Sequence, residues 1–235
     1  MSARPASSTG SAPDSRQPPD PDSFIAGQTT IEVAPGVPEL RLHLATEITP
    51  IWQATETHLD ALNIEPPFWA FSWPGSQLLA RYALDHPGRI AGRSVLDFAC
   101  GGGLAAIACA RAGAKEVFVN DIDPLALHCA GLNATLNDVR VTPLPGDLSG
   151  TDIGDLPPID LLLCGDVCYN QSMADRLIPW LRRCAASMEV WMADPGRPYA
   201  PKTGIEILRR SRIATTLELE GKTERDTTLY RILPG

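Results

Sequence analysis

The stretch SVLDFACGGGLAAIACARAGA, Ser94 to Ala114, decides the fold. A short apolar run carrying one acid, Asp97, meets three consecutive glycines, Gly101 to Gly103, and then an alanine-rich helical segment. Strand, glycine turn and helix in that order open a βαβ unit. The pattern continues downstream. EVFVND (116–121) reads as a strand, and PLALHCAGLNATLN (124–137) as a helix with a proline suited to its first turn. RVTPLP is a weaker strand, and IDLLLCGD an unbroken apolar strand of the kind buried on both faces. SMADRLIPWLRRCAA is a helix interrupted at Pro179, and MEVWMAD another buried strand. TGIEILRRS reads as a helix, and ATTLELE and TTLYRIL as the last two strands. Only Gly221 to Asp226 separates those two, which permits an antiparallel hairpin and no parallel crossover. The reading is an α/β fold: a Rossmann-like, seven-stranded, mostly parallel sheet with helices on both faces and a C-terminal antiparallel hairpin.

Working outward, this core occupies residues 93–235. Residues 25–92 form a second region that packs on it. In it, TTIEVAPGVPELRLHLAT alternates around a Pro-Gly turn as a small hairpin outside the main sheet, and a helix runs from about Ser76 to Asp85. Residues 1–24 are Ser, Pro, Gly, Ala and Asp with almost nothing to bury, and are expected to be disordered.

Bulk properties narrow the function. The 235 residues carry a net charge of −8, whereas nucleic-acid binding rests on a basic face, so no nucleic-acid partner is expected. No apolar run reaches the length of a membrane span and no signal-peptide core opens the chain. The six cysteines form no C-x-x-C pair and lie mostly in apolar runs, which favours a reducing compartment over disulfides, and the four scattered histidines offer no metal set. The expectation is a cytoplasmic monomer without metal, or one in the mitochondrial matrix if the chain is eukaryotic.

In an open parallel sheet, ligands bind beyond the carboxyl ends of the strands. Glycines there let the backbone pass close beneath a ligand, although a plain tight turn would use the same residues. Asp121 lies 24 residues after Asp97, at the end of the second strand, where a carboxylate can hold a ribose diol. Helix capping is the competing role, and Asp123 could fill it equally well. Asp147, in GDL after the third strand, could accept an adenine amino group or stand as a turn acid. Asp97 would repel a pyrophosphate but help bind an ammonium, directly or through water. Ala106 stands where the G-x-G-x-x-G dinucleotide motif would have its last glycine. An amino-acid tail, a ribose and an adenine satisfy the three acids together, and S-adenosylmethionine carries all three.

Five stretches sharpen the reading: FWAFSWPG (Phe68–Gly75), VLDFACGGG, VNDIDP (Val119–Pro124), GDVCYN (Gly165–Asn170) and ADPGRP (Ala193–Pro198). The chain resembles the class I, seven-strand methyltransferases. More narrowly, over about residues 68–198, it resembles the lysine methyltransferase family that modifies the β-subunit of electron transfer flavoprotein. The resemblance implies a protein-lysine N-methyltransferase with S-adenosylmethionine as donor, S-adenosylhomocysteine as product and a protein substrate, the flavoprotein β-subunit. It places Asp166 and Tyr169 at the substrate lysine, Asp166 orienting the ammonium and Tyr169 lining its channel. The donor contacts it implies are Trp73, Asp97, Ala99, Gly101, Gly103, Asp121, Ile122, Asp147 and Leu148. Trp73 would close over the donor or pack in the core. Ala99 departs from the family, which has glycine there. Arg197 could meet an acidic target or remain a loop residue, and Asp194 could fix its loop through backbone bonds. The alternatives are a methyltransferase for another protein such as a ribosomal one, a nicotinamide-dependent oxidoreductase, and a non-enzymatic donor-binding module.

Overall fold

The computed structural model describes residues 20–45 and 67–235. Of the extension expected to be disordered, residues 1–19 lie outside the described residues. Its end is helical: Asp20 accepts the Ser23 N–H and caps α1 (Pro21–Gln28), whose Ile25 is fully buried beside Trp69 and Cys129. The apolar anchor just past residue 24 is what orders this end. The hairpin follows as β1 (Thr30–Ala34) and β2 (Val37–Leu44), an antiparallel pair separate from the main sheet. Where the described residues resume at residue 67, a 3₁₀ turn, Phe68–Ala70, leads into α2 (Pro74–Asp85).

The core alternates β3 (Ser94–Phe98), α3 (Leu104–Arg111), β4 (Glu116–Asp121), α4 (Pro124–Leu136), β5 (Thr142–Pro145), β6 (Leu161–Gly165), α5 (Gln171–Cys184) and β7 (Glu189–Asp194). It ends in β8 (Ile205–Ala214), a one-turn α6 (Leu217–Glu220) and β9 (Glu224–Ile232). The sheet order is β5-β4-β3-β6-β7-β9-β8. The first five strands are parallel; β9 runs antiparallel to β7, and β8 to β9. Every residue of β3 is buried, because this central strand is covered on both faces. Strand order reverses between β3 and β6, and there a crevice opens at the carboxyl ends of the strands.

One segment departs from its sequence pattern. Ile205–Ala214, expected to contribute a helix, is the edge strand β8, and the hairpin is β8–β9. Glu, Leu and Arg favour helix only weakly, and pairing along nearly the whole of β9 outweighs that preference. A register shift between Ile207 and Arg209 breaks the two-residue alternation that would have marked a strand. The stretch expected as the first hairpin strand ends instead in α6, with Thr216 as N-cap and Gly221 at φ 65 after its last turn. Among the described residues no helix is long and apolar enough to cross a membrane.

The opposite end of the sheet is closed by one carboxylate. Glu189, at the start of β7, accepts from Arg89 at 2.8 Å, Arg93 at 2.9 Å and the Trp191 indole N–H at 2.7 Å. The Arg89 guanidinium also lies 5.0 Å from the Trp191 ring centroid. Although burial pushes it the other way, these donors hold the Glu189 carboxyl below its ordinary value. The variant Glu189→Gln keeps the indole bond but leaves both arginines without a counter-ion. It is expected to lower Tm by about 2–6 °C at neutral pH. A depressed acid stabilises the fold above its unfolded pKa and loses that contribution as pH falls through its folded value. The two melting curves should therefore converge below roughly pH 4 in thermal unfolding followed by circular dichroism.

Candidate active site

The crevice is an open cleft of about 390 Å³. Its floor is the turn after β3, its far wall the end of β4, its near wall the end of β6, and its roof the aromatic turn and the end of β2. Of the residues expected at the site, Trp73, Ala99, Gly101, Asp121, Ile122, Asp166 and Tyr169 line this one space.

The three glycines are required for different reasons, Gly101 by its backbone angle and the other two by close neighbours. Gly101 has φ 51 and donates its N–H to Asp121 Oδ2 at 3.0 Å. A Cβ on Gly102 would stand 2.7 Å from the Trp69 carbonyl oxygen, and one on Gly103 2.9 Å from the Ala130 side chain. The loop is therefore clamped between the aromatic turn and α4, with only Gly101 and Gly102 facing the cleft. Ala99 sits at φ 52, in the left-handed region where an L side chain costs roughly 1–2 kcal/mol and glycine nothing. That strain is the physical content of the family's glycine at this position.

Asp121 and Asp123 divide the two roles left open by the sequence. Asp123 caps α4, accepting the Leu125 N–H at 2.8 Å. Asp121 turns to the cleft, with Oδ1 accepting from the Asp123 N–H at 3.1 Å and Oδ2 from Gly101. Burial raises its pKa against the pull of these backbone donors.

Four expected donor contacts stand elsewhere. Asp97 is 3% exposed and does not line the cleft; its carboxylate accepts the Ala106 N–H at 2.9 Å and so moors α3 to β3. Burial, reinforced by the Asp121 charge, pushes its pKa up to about 8. Gly103 belongs to the contact between α3 and α4. Asp147 accepts the Ser149 N–H at 2.9 Å and pairs with Arg176 at 3.1 Å. Leu148 packs into the apolar layer that includes Trp180. None of the four is among the residues lining the cleft, and each has a partner within the chain that sequence spacing does not reveal.

The other end of the cleft is built around Asp166. Its backbone is strained, at φ 58, and its N–H donates to the Ala193 carbonyl at 3.0 Å. Its Oδ2 accepts the Gly75 N–H at 2.7 Å and the Ser76 N–H at 3.3 Å, the open N-terminus of α2. Trp73, the N-cap residue, supplies no side-chain cap there, so Asp166 caps the helix from across the sheet. The approach is tight: a Cβ on Gly75 would lie 2.5 Å from Asp166 Oδ2, and one on Gly165 2.9 Å from the Ser76 nitrogen. Thus the FWAFSWPG, GDVCYN and ADPGRP stretches meet at one carboxylate. Its Oδ1 is enclosed and has no hydrogen-bond partner among the described residues. Burial raises Asp166 to about 7, opposed by Arg197 and assisted by Asp194.

Around this carboxylate lies an aromatic rim. Phe68 is 5.9 Å from Trp73 and 6.3 Å from Tyr169 between ring centroids, and Tyr169 is half exposed. The Trp73 indole donates to the Phe68 carbonyl at 2.8 Å, which fixes its ring at the cleft. Asp194 fixes its loop, accepting the Arg197 N–H at 2.6 Å. The Arg197 side chain lines the cleft and pairs with Glu220, which Arg225 also holds at 2.8 Å. Cys100, Cys164 and Cys168 are buried, and burial raises all three thiols, Cys168 to about 12, away from the thiolate form at neutral pH.

Sequence reading missed Phe68, Asn133 and the hairpin leucines Leu42 and Leu44, all in the cleft wall. The one available signal was the asparagine pair at 133 and 137, four residues apart in a largely apolar stretch.

Strand order, the antiparallel last strands and a cleft over the first strand–helix turn define a class I methyltransferase fold. TrmN from Thermus thermophilus shares it, with a TM-score of 0.51 at 20% identity over 67% of this chain and 49% of that one. So does a candidate RNA methyltransferase from Pyrococcus horikoshii, with a TM-score of 0.51 at 18% identity over 66% of this chain and 81% of that one. A family profile for ribosomal protein L11 methyltransferase matches residues 45–152. Sequence relatives are nearer. The electron transfer flavoprotein beta subunit lysine methyltransferase of Xenopus laevis is 39% identical over 180 residues, 75% of this chain and 71% of that one. The Homo sapiens protein of the same name is 36% identical over 183 residues, 77% and 68% of the two chains. This chain belongs to the electron transfer flavoprotein β-subunit lysine methyltransferase family.

The position of Asp97 makes a prediction. A buried acid whose pKa is raised binds more protons folded than unfolded, so its contribution to stability falls as pH rises between the two values. The variant Asp97→Asn keeps an acceptor for Ala106 and has no such slope. In the ligand-free protein it should gain Tm relative to wild type between about pH 5 and about pH 9. Parallel Tm–pH curves for the two proteins would show that Asp97 titrates as an ordinary carboxyl.

Proposed function

We propose that this chain transfers methyl groups from S-adenosylmethionine to lysine side chains of the electron transfer flavoprotein β-subunit. The observation that carries the reading is a single cleft with two chemically different ends. One end presents a carboxylate and a side-chain-free backbone. The other presents an enclosed, half-satisfied carboxylate ringed by aromatic faces.

The first end fits the donor. Asp121 still has lone pairs for ribose hydroxyls, and Ala99 and Gly101 leave room above the loop. Ile122, which is 68% exposed, offers an apolar face beside them. When bound there, S-adenosylmethionine supplies a methyl group activated by its sulfonium. The chain's own residues handle the nucleophile. A lysine ammonium at neutral pH must lose a proton, at a cost of about 4 kcal/mol. Among the described residues no donor reaches the enclosed Asp166 Oδ1, which leaves that oxygen to accept from the ammonium. Its raised proton affinity suits it to take the proton near neutral pH better than an ordinary carboxylate would. Tyr169, Phe68 and Trp73 line the approach, where ring faces attract a cation by about 0.5–2 kcal/mol and cover the lysine stem.

The choice of protein substrate is supported by the relatives, which are named for it. A ribosomal substrate is the less favoured reading. The profile bearing that name stops at residue 152, which covers the donor end and not the GDVCYN and ADPGRP stretches at the amine end. We place the enzyme in the cytoplasm, a reducing setting that suits six buried, unpaired cysteines. We take it to act as a monomer, because one chain supplies both ends of the cleft.

Incubation of the protein with methyl-labelled donor and a cell extract, followed by mass spectrometry, tests the reading. Label is expected on lysines of the flavoprotein β-subunit. Asp121→Ala, having lost the ribose acceptor, should show a donor Kd raised by about 10–100-fold in calorimetry. Label confined to nucleic acid or a small metabolite would refute the substrate, and an unchanged Kd would remove Asp121 from the donor site.

A further inference from the structure

The hairpin β1–β2 has its own small sheet, yet its second strand is not independent of the cleft. The backbone of β2 finds partners in two side chains at the end of α4, Asn133 within the helix and Asn137 at its C-cap. Asn137 behaves toward Arg41 as a neighbouring strand would, accepting its N–H at 3.0 Å and donating to its carbonyl at 2.7 Å. Asn133, one turn earlier, accepts the His43 N–H at 2.7 Å and donates to the Gly102 carbonyl at 2.9 Å. Asn133 is 1% exposed. Just beyond, the Ala45 N–H donates to the Ala70 carbonyl at 2.8 Å, tying the end of β2 to the aromatic turn. The Trp69 carbonyl of that turn is the atom that would collide with a side chain on Gly102. Gly102 is therefore pinned from two directions, and both run through β2.

We propose that Asn133 is a positioning residue for the methyl donor: its amide fastens strand β2 to the Gly102 carbonyl, sets the cofactor loop and makes the N-terminal hairpin part of the donor site. The inference rests on the donor reading above. Only an asparagine meets the requirement. One end must accept from β2 and the other donate to the loop. Aspartate has no donor, leucine neither group, and glutamine displaces both ends by a methylene. Asn137 provides the control, because it holds the same strand and touches nothing in the loop.

The test compares Asn133→Asp, Asn133→Ala and Asn137→Ala in the full chain. Two readouts are used: S-adenosylhomocysteine calorimetry, and hydrogen exchange of the ligand-free protein over residues 101–104. Both Asn133 variants are expected to raise the Kd and the donor KM about tenfold, with kcat at saturating donor within about twofold of wild type. Both should also exchange the loop amides faster. Asn137→Ala is expected to lose similar thermal stability with Kd within about twofold of wild type and loop exchange unchanged. Should Asn133→Ala fold poorly, the near-isosteric Asn133→Asp carries the comparison. Wild-type affinity in a folded Asn133 variant, or equal loosening of the loop in Asn137→Ala, would overturn the role of Asn133. Failure of wild-type protein to bind the probe would overturn the donor reading, and loop exchange would still judge the tether.

Discussion

A carboxylate capping a helix through an N–H donor 91 residues earlier is the constraint on which the cleft depends. Without Asp166, the first N–H groups of α2 would be buried with no acceptor, since Trp73 offers none. Charge-assisted bonds of this kind contribute about 1.5–3 kcal/mol, and an anion at a helix N-terminus up to about 2 more. That contribution offsets two costs at the same residue, a left-handed backbone and an enclosed charge. It also dictates sequence. Gly75 and Gly165 are glycines because the two segments meet at distances that no Cβ allows. The same carboxylate keeps one enclosed oxygen to which no described residue donates.

The donor end is organised by the same logic with different residues. The glycine loop is held by Asp121 through Gly101, by the Trp69 carbonyl above Gly102 and by Ala130 against Gly103. Ala99 and Asp166, both at positive φ, mark the ends of β3 and β6, the two strands that flank the switch point. Strain thus falls at the two bends where the cleft is made, and the relaxed strands and helices around them carry it. The two ends share the aromatic turn, whose Trp69 backbone packs on the loop and whose Trp73 precedes the helix that Asp166 caps.

Much of this was legible in the sequence. Unbroken apolar runs such as LLLC, glycines after a strand and an acid ending the next strand follow from local chemistry, so the parallel core and the place of the cleft could be read directly. What could not be read depended on partners distant in sequence. Asp97 and Asp147 are acids at plausible positions, but an N–H of Ala106 and the side chain of Arg176 claim them. Gly103 looks like a ligand-facing glycine and instead packs against Ala130. The strand β8 hides behind helix-forming residues and a register shift. Asn133 is an ordinary polar residue until β2 arrives beside it.

The account holds that one enclosed carboxyl both caps α2 and receives the substrate amine, and its protonation tests this most directly. Carbon-13 NMR of the Asp166 carboxyl in the ligand-free protein, assigned by comparison with Asp166→Asn, follows that group alone. The account predicts a midpoint of about 7. A midpoint near the ordinary carboxylate value of about 4 would mean that the carboxyl is solvated rather than enclosed, and would contradict it.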